Sequence, residues 1–381
     1  MRKGWEYKKL GEVATYINGY SFKPDQWKES GTPIVRIQNL NNENAPYNYY
    51  DGEVPDKVKI QNGDLLISWS ASLGAYIWHG GNAFLNQHIF KVAFDKTDID
   101  KFFLKYAVTS KLAAMAEQVH GATMKHIVKK DFDNTQIPYP PLSTQLAIVT
   151  ELDKINELIR LKKEQLKDFD NLAQSLFYEM FGDPVENEKG WEVKKLNEIV
   201  SDNCSISYGI VQPGDGVENG VPVVRPVDMT KTFVSRKGLK NTTKEISDSY
   251  KRTILKGNEI LMCVRGTTGL ISMATPELQG CNVTRGIAPI ECGPTCDKWF
   301  VFYQILNPAI QHHIAEYTRG IALKQINMKD VRDIPLCLPP LSLQRLFAQR
   351  IEQIEREKSE VQKSIQDLET LLASRMQYWF E

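Results

Sequence analysis

The longest regular signal in the chain is a spacing of apolar residues. From Ile148 they fall at Ile148, Leu152, Ile155, Ile159, Leu166, Phe169, Ala173 and Leu176, the alternating four-three step of a coiled-coil seam. Lys162 occupies the one seam position that is not apolar. A second run keeps the same rhythm through Phe347, Ile351, Ile354, Val361, Ile365, Leu368 and Leu372, with Lys358 as its interruption. Each run predicts a long helix, the first from Gln145 to Met180, or about 54 Å at about 1.5 Å per residue. Each also follows a proline-led phrase, PPLSTQ at Pro140 to Gln145 and PPLSLQ at Pro339 to Gln344. The prolines stop the preceding strand, and Ser143 or Ser342 is expected to cap the helix. Elsewhere the apolar runs are short and rich in β-branched residues. IVRIQNL, DLLISWS and IFKVAF in the first half, and VPVVRPV, EILMCVR and GIAPI in the second, predict strands. One further helix is expected in each half, over Asp98 to Gln118 and over Cys296 to Tyr317.

The two halves align with each other. WEYKKLGEV at Trp5 answers WEVKKLNEI at Trp191, PIVRIQNL answers PVVRPVDM, and DLLISWSASLG answers EILMCVRGTTG. NQH at Asn86 is matched to NVT at Asn282, DKFFLKYAV to DKWFVFYQI, and GATMKHIVKKDF to GIALKQINMKDV. The offset only grows, from 186 to 199 residues, as a duplication with insertions requires. The expected fold is therefore α+β. Two homologous β-rich domains, 1–140 and 182–338, are each followed by a long helix, 141–181 and 339–381. Two helices of matched length and seam should pair as an antiparallel coiled coil with pseudo-two-fold symmetry. Such a pair would hold two similar domains a fixed distance apart.

The net charge of zero conceals a division. Residues 1–140 and 191–338 come out at +2 and +3, and residues 141–190 and 339–381 together at −5. A neutral chain would ordinarily argue against a nucleic-acid partner, because phosphate neutralisation needs Lys and Arg. Here the acid is concentrated in the helices, away from any basic face. All six cysteines lie in the second half with no CxxC pair, so reduced thiols are expected rather than disulfides or a zinc site. No apolar run is long enough for a membrane span and the first residues do not read as a signal peptide, so no membrane partner and a cytoplasmic location are expected.

The order of β-rich block, GxxxK segment (GATMK, GIALK), PPLxxQ junction and long helix, all repeated once, resembles the specificity subunit of Type I restriction-modification systems. SLFYEMFGDP at the end of the first helix is similar to that family's junction between central spacer and second half. The resemblance covers essentially the whole chain. It implies two target recognition domains, each reading one half of a split sequence in double-stranded DNA, with the helices setting the gap. It implies as partners two methyltransferase subunits, positioned over an adenine in each half, and two restriction and motor subunits. It implies no cofactor and no catalysis by this chain. Symmetric protein with non-identical domains fits a bipartite, asymmetric site.

Base reading requires Arg, Lys, Asn, Gln, Ser, Thr or similar groups on exposed loops. In the first block the candidates are Arg36, Gln38, Asn39, Ser70, Ser72, Asn86, Gln87, His88, Thr123 and Lys125. In the second they are Arg225, Asp228, Arg265, Thr267, Thr268, Thr284, Arg285 and Lys324. Arg265 and Arg285 stand out because small residues and glycine flank them in VRGTTG and VTRGI, leaving room for backbone approach. Each position also has an ordinary reading as a turn or surface residue. Lys162 and Lys358 either fix the register of the helix pair or lie along an opened seam. Aromatic clusters at Phe177, Tyr178 and Phe181 and at Tyr378, Trp379 and Phe380 are expected to pack on the globular blocks, with partner docking as the alternative.

Catalytic motifs are missing. There is no GxxxxGK[ST] loop for ATP and no FxGxG, and QIPYPP at Gln136 resembles a base-holding NPPY tetrad only superficially. Pro24-Asp25 and Pro55-Asp56 have no following ExK for a nuclease. The rival reading from another class is a coiled-coil scaffold with two β-rich domains that bind proteins or glycans, to which Tyr47, Tyr49 and Tyr50 point faintly.

Overall fold

The first repeat opens and closes in one two-stranded sheet, because WEYKKL and QIPYPP are alternating segments that pair with each other. The computed structural model describes residues 4–42, 44–118, 127–320 and 323–381. These form two units, unit 1 from Met1–Lys163 and Lys363–Glu381, and unit 2 from Glu164–Gln362.

Unit 1 contains β1 (Glu6–Lys9), α1 (Leu10–Val13), β2 (Thr15–Asn18), β3 (Thr32–Val35), α2 (Ile37–Asn41), β4 (Asn48–Tyr50), β5 (Lys59–Ile60) and β6 (Leu65–Ser68). There follow β7 (Gly74–Ile77), β8 (Ala83–Leu85), β9 (Ile89–Ala93), α3 (Lys101–Gln118), α4 (Lys129–Asn134), β10 (Gln136–Tyr139) and the start of α5 (Leu142–Phe181). β1 pairs antiparallel with β10, and two four-stranded sheets run β2-β9-β6-β7 and β4-β3-β8-β5. Leu65, Leu66 and Ile67 of β6 are fully buried, as a central strand covered on both faces must be.

Unit 2 repeats this plan with β11 (Glu192–Lys195), β12 (Val221–Val224), β13 (Lys240–Thr242), α6 (Lys244–Ser249), β14 (Ile260–Cys263), β15 (Ile271–Met273) and β16 (Asn282–Val283). It continues with β17 (Ile287–Ile290), α7 (Lys298–Leu306), α8 (Pro308–Glu316), α9 (Met328–Arg332), β18 (Pro335–Leu338) and the start of α10 (Leu341–Phe380). β11 pairs with β18, and the sheets are β13-β12-β16 and β15-β14-β17. In both units the strand after the first long loop pairs in parallel with the strand before the second turn, β3 with β8 and β12 with β16.

Most seam residues are where the heptads put them. Ile148, Leu152, Ile155 and Ile159 are buried in unit 1, and Ala173, Phe347, Ile351 and Ile354 in unit 2, while Leu176 is half-buried beside the fully buried Phe177. Pairing is antiparallel within each unit. In unit 1 Arg375 meets Glu151 and Lys163 meets Glu369 at 2.9 Å. In unit 2 Lys358 meets Asp170 at 2.8 Å while the Phe177 and Phe347 rings stand 5.7 Å apart. The aromatic helix ends pack inward, Phe380 against Phe103 at 5.3 Å in unit 1 and Phe181 against Phe300 at 4.7 Å in unit 2.

Lys358 is only 16% exposed, and its ammonium binds both Asp170 of α5 and Glu355 of its own helix at 2.8 Å. Burial alone would lower its pKa, but the hydrogen bonds it donates to the two carboxylates outweigh that and raise it. This lysine joins the helices rather than lying idle along them. Repeat register places it opposite Ile159, not Lys162, so the two lysines are not equivalents.

Three local expectations change. The helix starts are not capped by Ser143 and Ser342, which lie inside the first turn. α5 begins after Pro141, whose carbonyl accepts from the Gln145 amide at 3.1 Å, and α10 begins likewise after Pro340. The last residue of each hexapeptide does the fixing. Buried Gln145 donates to the Pro140 carbonyl at 2.9 Å and accepts from the Asp100 amide at 2.9 Å. Buried Gln344 donates to Pro339 at 2.7 Å and accepts from the Asp297 amide at 2.9 Å. Each glutamine thus ties the long helix to the N-terminus of α3 or α7. The helix expected over Cys296 to Tyr317 is two, because Asn307 caps Ala309 at 2.9 Å and Pro308 has no amide to continue the ladder. IVRIQNL and VPVVRPV leave the sheet early: Asn39 and Asp228 accept from the amides of Arg36 and Arg225 and turn the chain.

Candidate nucleic-acid interface

In unit 2 three segments meet beyond the ends of β14 and β16. The Val264 amide donates to the Gly286 carbonyl at 2.8 Å, the Ile326 amide to Val264 at 3.0 Å, and the Gly266 amide to Lys324 at 2.8 Å. Gly266 has φ +90°, a left-handed turn that gives an L side chain strain, and it lies in open space. This stitching gathers Arg265, Arg285, Tyr208, Gln325 and Asn327 around one cavity of about 370 Å³, floored by apolar side chains such as Val264 and Ile326. Both arginines are half-buried, and neither makes an ion pair among the described residues. Two uncommitted guanidiniums beside two amides form a donor-rich, planar-edged cleft of the kind that reads base edges. Lys324, whose carbonyl accepts from Gly266, is exposed.

Two of these three backbone bonds have counterparts in unit 1, and the place of the third falls outside the described residues. Trp69 donates to His88 at 3.4 Å, Ile127 to Trp69 at 2.9 Å, and Gln87 to Tyr20 at 3.0 Å, as Arg285 does to Ile210 at 2.7 Å. This register sets Ser70 at the place of Arg265 and Gln87 at the place of Arg285. It also corrects the match of Asn86 to Asn282. Asn86 bridges to Tyr20 as Thr284 bridges to Ile210, so Asn86 and Thr284 correspond. Asn282 is buried, bonded to Thr253 at 2.7 Å and to Ser247 at 3.1 Å. The chemistry at the shared places differs. Ser70 is only 6% exposed, while the Gln87 amide lies 3.2 Å from the His88 ring, itself edge-on to Trp69. Ser72 is exposed on the turn beyond β6.

Other expected readers lie elsewhere. Asn39 is 3% exposed, and its amide donates to the carbonyls of Ala45 and Pro46, so it builds a turn instead of facing a groove. Gln38 donates to Pro46 at 3.2 Å. Arg36 donates to Asn48 at 3.1 Å and lies 4.9 Å from the Trp27 ring. Arg225 and Asp228 neutralise each other in a two-point pair at 2.8 and 3.0 Å, which holds the guanidinium pKa up. Thr268 bonds to Thr318 at 3.1 Å, and Thr267 is exposed. Thr123 and Lys125 lie outside the described residues. Sequence reasoning missed Tyr208, Gln325 and Asn327. Gln325 and Asn327 directly follow the GxxxK phrase of the second half, a signal that could have extended the candidate set.

Among the described residues, no group of three His, Cys, Asp or Glu side chains is placed to hold a metal, and no helix is long and apolar enough to cross a membrane. QIPYPP is β10 and its approach to α5, paired with β1 and not open to a base.

Comparison with known proteins matches this architecture. The family model described as Type I restriction modification DNA specificity domain fits residues 2–168 and 188–370, one stretch for each repeat. The EcoBI type I restriction enzyme specificity subunit of Escherichia coli is 25% identical over 387 residues, covering 95% of this chain and 81% of that protein. The MjaVIII specificity subunit of Methanocaldococcus jannaschii is 24% identical over 406 residues, covering 97% and 92%. Two solved folds are similar. A chain from a study of complex assembly and conformational transition of the type I R-M system gives a TM-score of 0.61 at 20% identity, over 99% of this chain and 97% of that one. The S subunit of a Type I restriction-modification system from M. genitalium gives 0.53 at 15% identity, over 99% and 96%.

Proposed function

Because the chain belongs to the family of Type I restriction modification DNA specificity domains, and is a specificity subunit rather than a catalyst of such a system, we propose that it reads a split, asymmetric duplex sequence, one half with each unit. One observation carries the reading: at corresponding places of a repeated frame the two units hold different polar side chains, Gln87 and the buried Ser70 in one, and Arg265 and Arg285 around a cavity in the other. A shared frame with different side chains at corresponding places fits two half-sites of different sequence. α5 and α10 act as spacers that fix the gap between them. Two methyltransferase subunits dock on the chain and reach an adenine in each half, and two restriction and motor subunits join for cleavage. The near-neutral charge of the chain fits this division of labour, since partners would supply further phosphate contacts.

The test is expression with the cognate methyltransferase subunit in a methylation-free host, followed by single-molecule mapping of modified adenines. A split, asymmetric methylated motif is the expected result; a soluble complex that leaves no new modification would overturn the reading. Adding one heptad after Lys163 and one after Gln362 lengthens each helix by about 10 Å. The gap in the motif should lengthen while both halves stay the same. An unchanged gap would remove the spacer role.

A further inference from the structure

The cleft of unit 2 is specific enough to name the base it reads. Its polar lining consists of donors or adaptable groups, Arg265, Arg285, Gln325, Asn327 and the Tyr208 hydroxyl, with no carboxylate among them. Three other arginines of the unit are engaged. Arg225 is held by Asp228, Arg332 donates to the carbonyls of Ser205 and Ile206, and Arg236 donates to the Glu277 carbonyl. Arg265 and Arg285 converge on one cavity, and neither forms an ion pair among the described residues. In the major groove the edge made wholly of acceptors is that of guanine, whose N7 and O6 match the two parallel N–H groups of a guanidinium.

Tyr208 is 52% exposed and belongs to two surfaces. On one side it walls the arginine cleft. On the other it lines a second cavity of about 420 Å³ with Ser207, Lys251 and Arg252, where Asp248 is the one acid. Lys251 and Arg252 are exposed and form no ion pair among the described residues. A base-reading cleft continuous with a cationic ledge is the arrangement that a duplex presents in reverse, base edges flanked by phosphates.

We propose that Arg265 and Arg285 each read a guanine in the half-site of unit 2, and that Lys251 and Arg252, beyond Tyr208, hold the adjoining phosphate backbone. This rests on the DNA-reading function proposed above. The guanine readers have no counterpart in unit 1, where Ser70 is buried and Gln87 is engaged with His88.

The experiment uses the full complex with its methyltransferase subunit. Methylated motifs are mapped for the wild type, Arg265→Gln, Arg285→Gln and the double variant Lys251→Ala/Arg252→Ala, with thermal melting to confirm that each is folded. Binding of the wild type and the double variant to a duplex carrying the mapped motif is followed against salt concentration. Each arginine variant should relax one G·C position by about tenfold or more, both positions falling in the same half. The double lysine-arginine variant should keep the motif, bind all sequences more weakly and lower the salt slope by about 2. The guanine assignment falls if the motif is unchanged in a folded arginine variant, if the altered pairs are A·T, or if the two variants alter different halves. An unchanged salt slope removes the ledge. A wild-type complex without any split motif overturns the DNA-reading function itself, and this inference with it.

Discussion

In unit 1 the residue just beyond Trp69 is Ser70, buried and pointing away from solvent; in unit 2 the residue at the same register is Arg265, half exposed above a cavity. Backbone bonds at Trp69 and Val264, the residues just before them, correspond. A second contrast lies in the helices, where Ile159 is buried in unit 1 and Lys358 occupies the corresponding place in unit 2. Tyr106 of unit 1 is bonded to Asn156 at 2.9 Å and to Asp153 at 2.6 Å, and Tyr303 of unit 2 contacts Glu355 at 3.3 Å. Burial pushes both phenols well up. The duplicated frame is thus held by backbone pairing and apolar seam, which tolerate exchange of polar side chains at fixed places. Function can diverge at those places without moving the scaffold.

The largest effects should come from the helix ends. Phe380→Ala should loosen unit 1, and Phe181→Ala unit 2, each by about 3–5 kcal/mol, because a fully packed ring leaves a cavity. Hydrogen exchange would locate the loss, and equal deprotection of both units by either variant would break the comparison.

Next is the lysine bridge. Lys358→Ile alone should destabilise unit 2 by about 2–3 kcal/mol, since Glu355 stays buried without its partner. Adding Glu355→Asn recreates the Ile159 and Asn156 pattern of unit 1, and denaturant titration should show most of the loss recovered. The folded pKa of Lys358 lies above its ordinary value of 10.5, so its contribution is full below that pH and disappears as pH climbs through the raised value. Wild-type unit 2 should therefore weaken in alkali more than the double variant does.

Gln145→Ala and Gln344→Ala should each cost about 1–2 kcal/mol by removing the acceptor of the part-buried amides of Asp100 and Asp297. Similar urea midpoint shifts for the two would confirm an equivalent clamp, whereas a shift in one alone would show that the junctions have diverged. Smallest of all, Glu151→Gln removes a part-exposed pair with Arg375 and should cost less than about 1 kcal/mol. The Arg375 hydrogen bond holds the Glu151 carboxyl below its usual 4.5, so this contribution is present above that pH and is lost as acid takes the carboxyl through its lowered value. A melt series from neutral to acid pH checks it.

Much of the fold was legible because its signals are periodic or repeated. The heptads gave both long helices, and the match of WEYKKL to WEVKKL gave the duplication. Single residues acting through geometry were not legible. Gln145 looks like any polar residue in a helix start until the Asp100 amide is seen beside it. The strand-like IVRIQNL bends after Val35 because Asn39 bonds back to Arg36, a local competition that β-propensity does not register. For the cleft, glycine neighbours singled out Arg265 and Arg285, but Tyr208 comes from another stretch of chain and only the backbone stitching brings it near. Asn39 and Ser70 were misleading for the opposite reason, having the right chemistry at buried positions.

Unit 2 is one uninterrupted stretch of chain, whereas unit 1 is closed by residues from Lys363 onward, among them Phe380 in its core. Synthesis therefore delivers all of unit 2 before the last piece of unit 1. During translation the first unit to begin is the last to finish, and its contacts of long sequence separation make it the slower to fold. Until that last piece arrives, Phe103 and its neighbours have an open side, a period of exposure that unit 2 does not share.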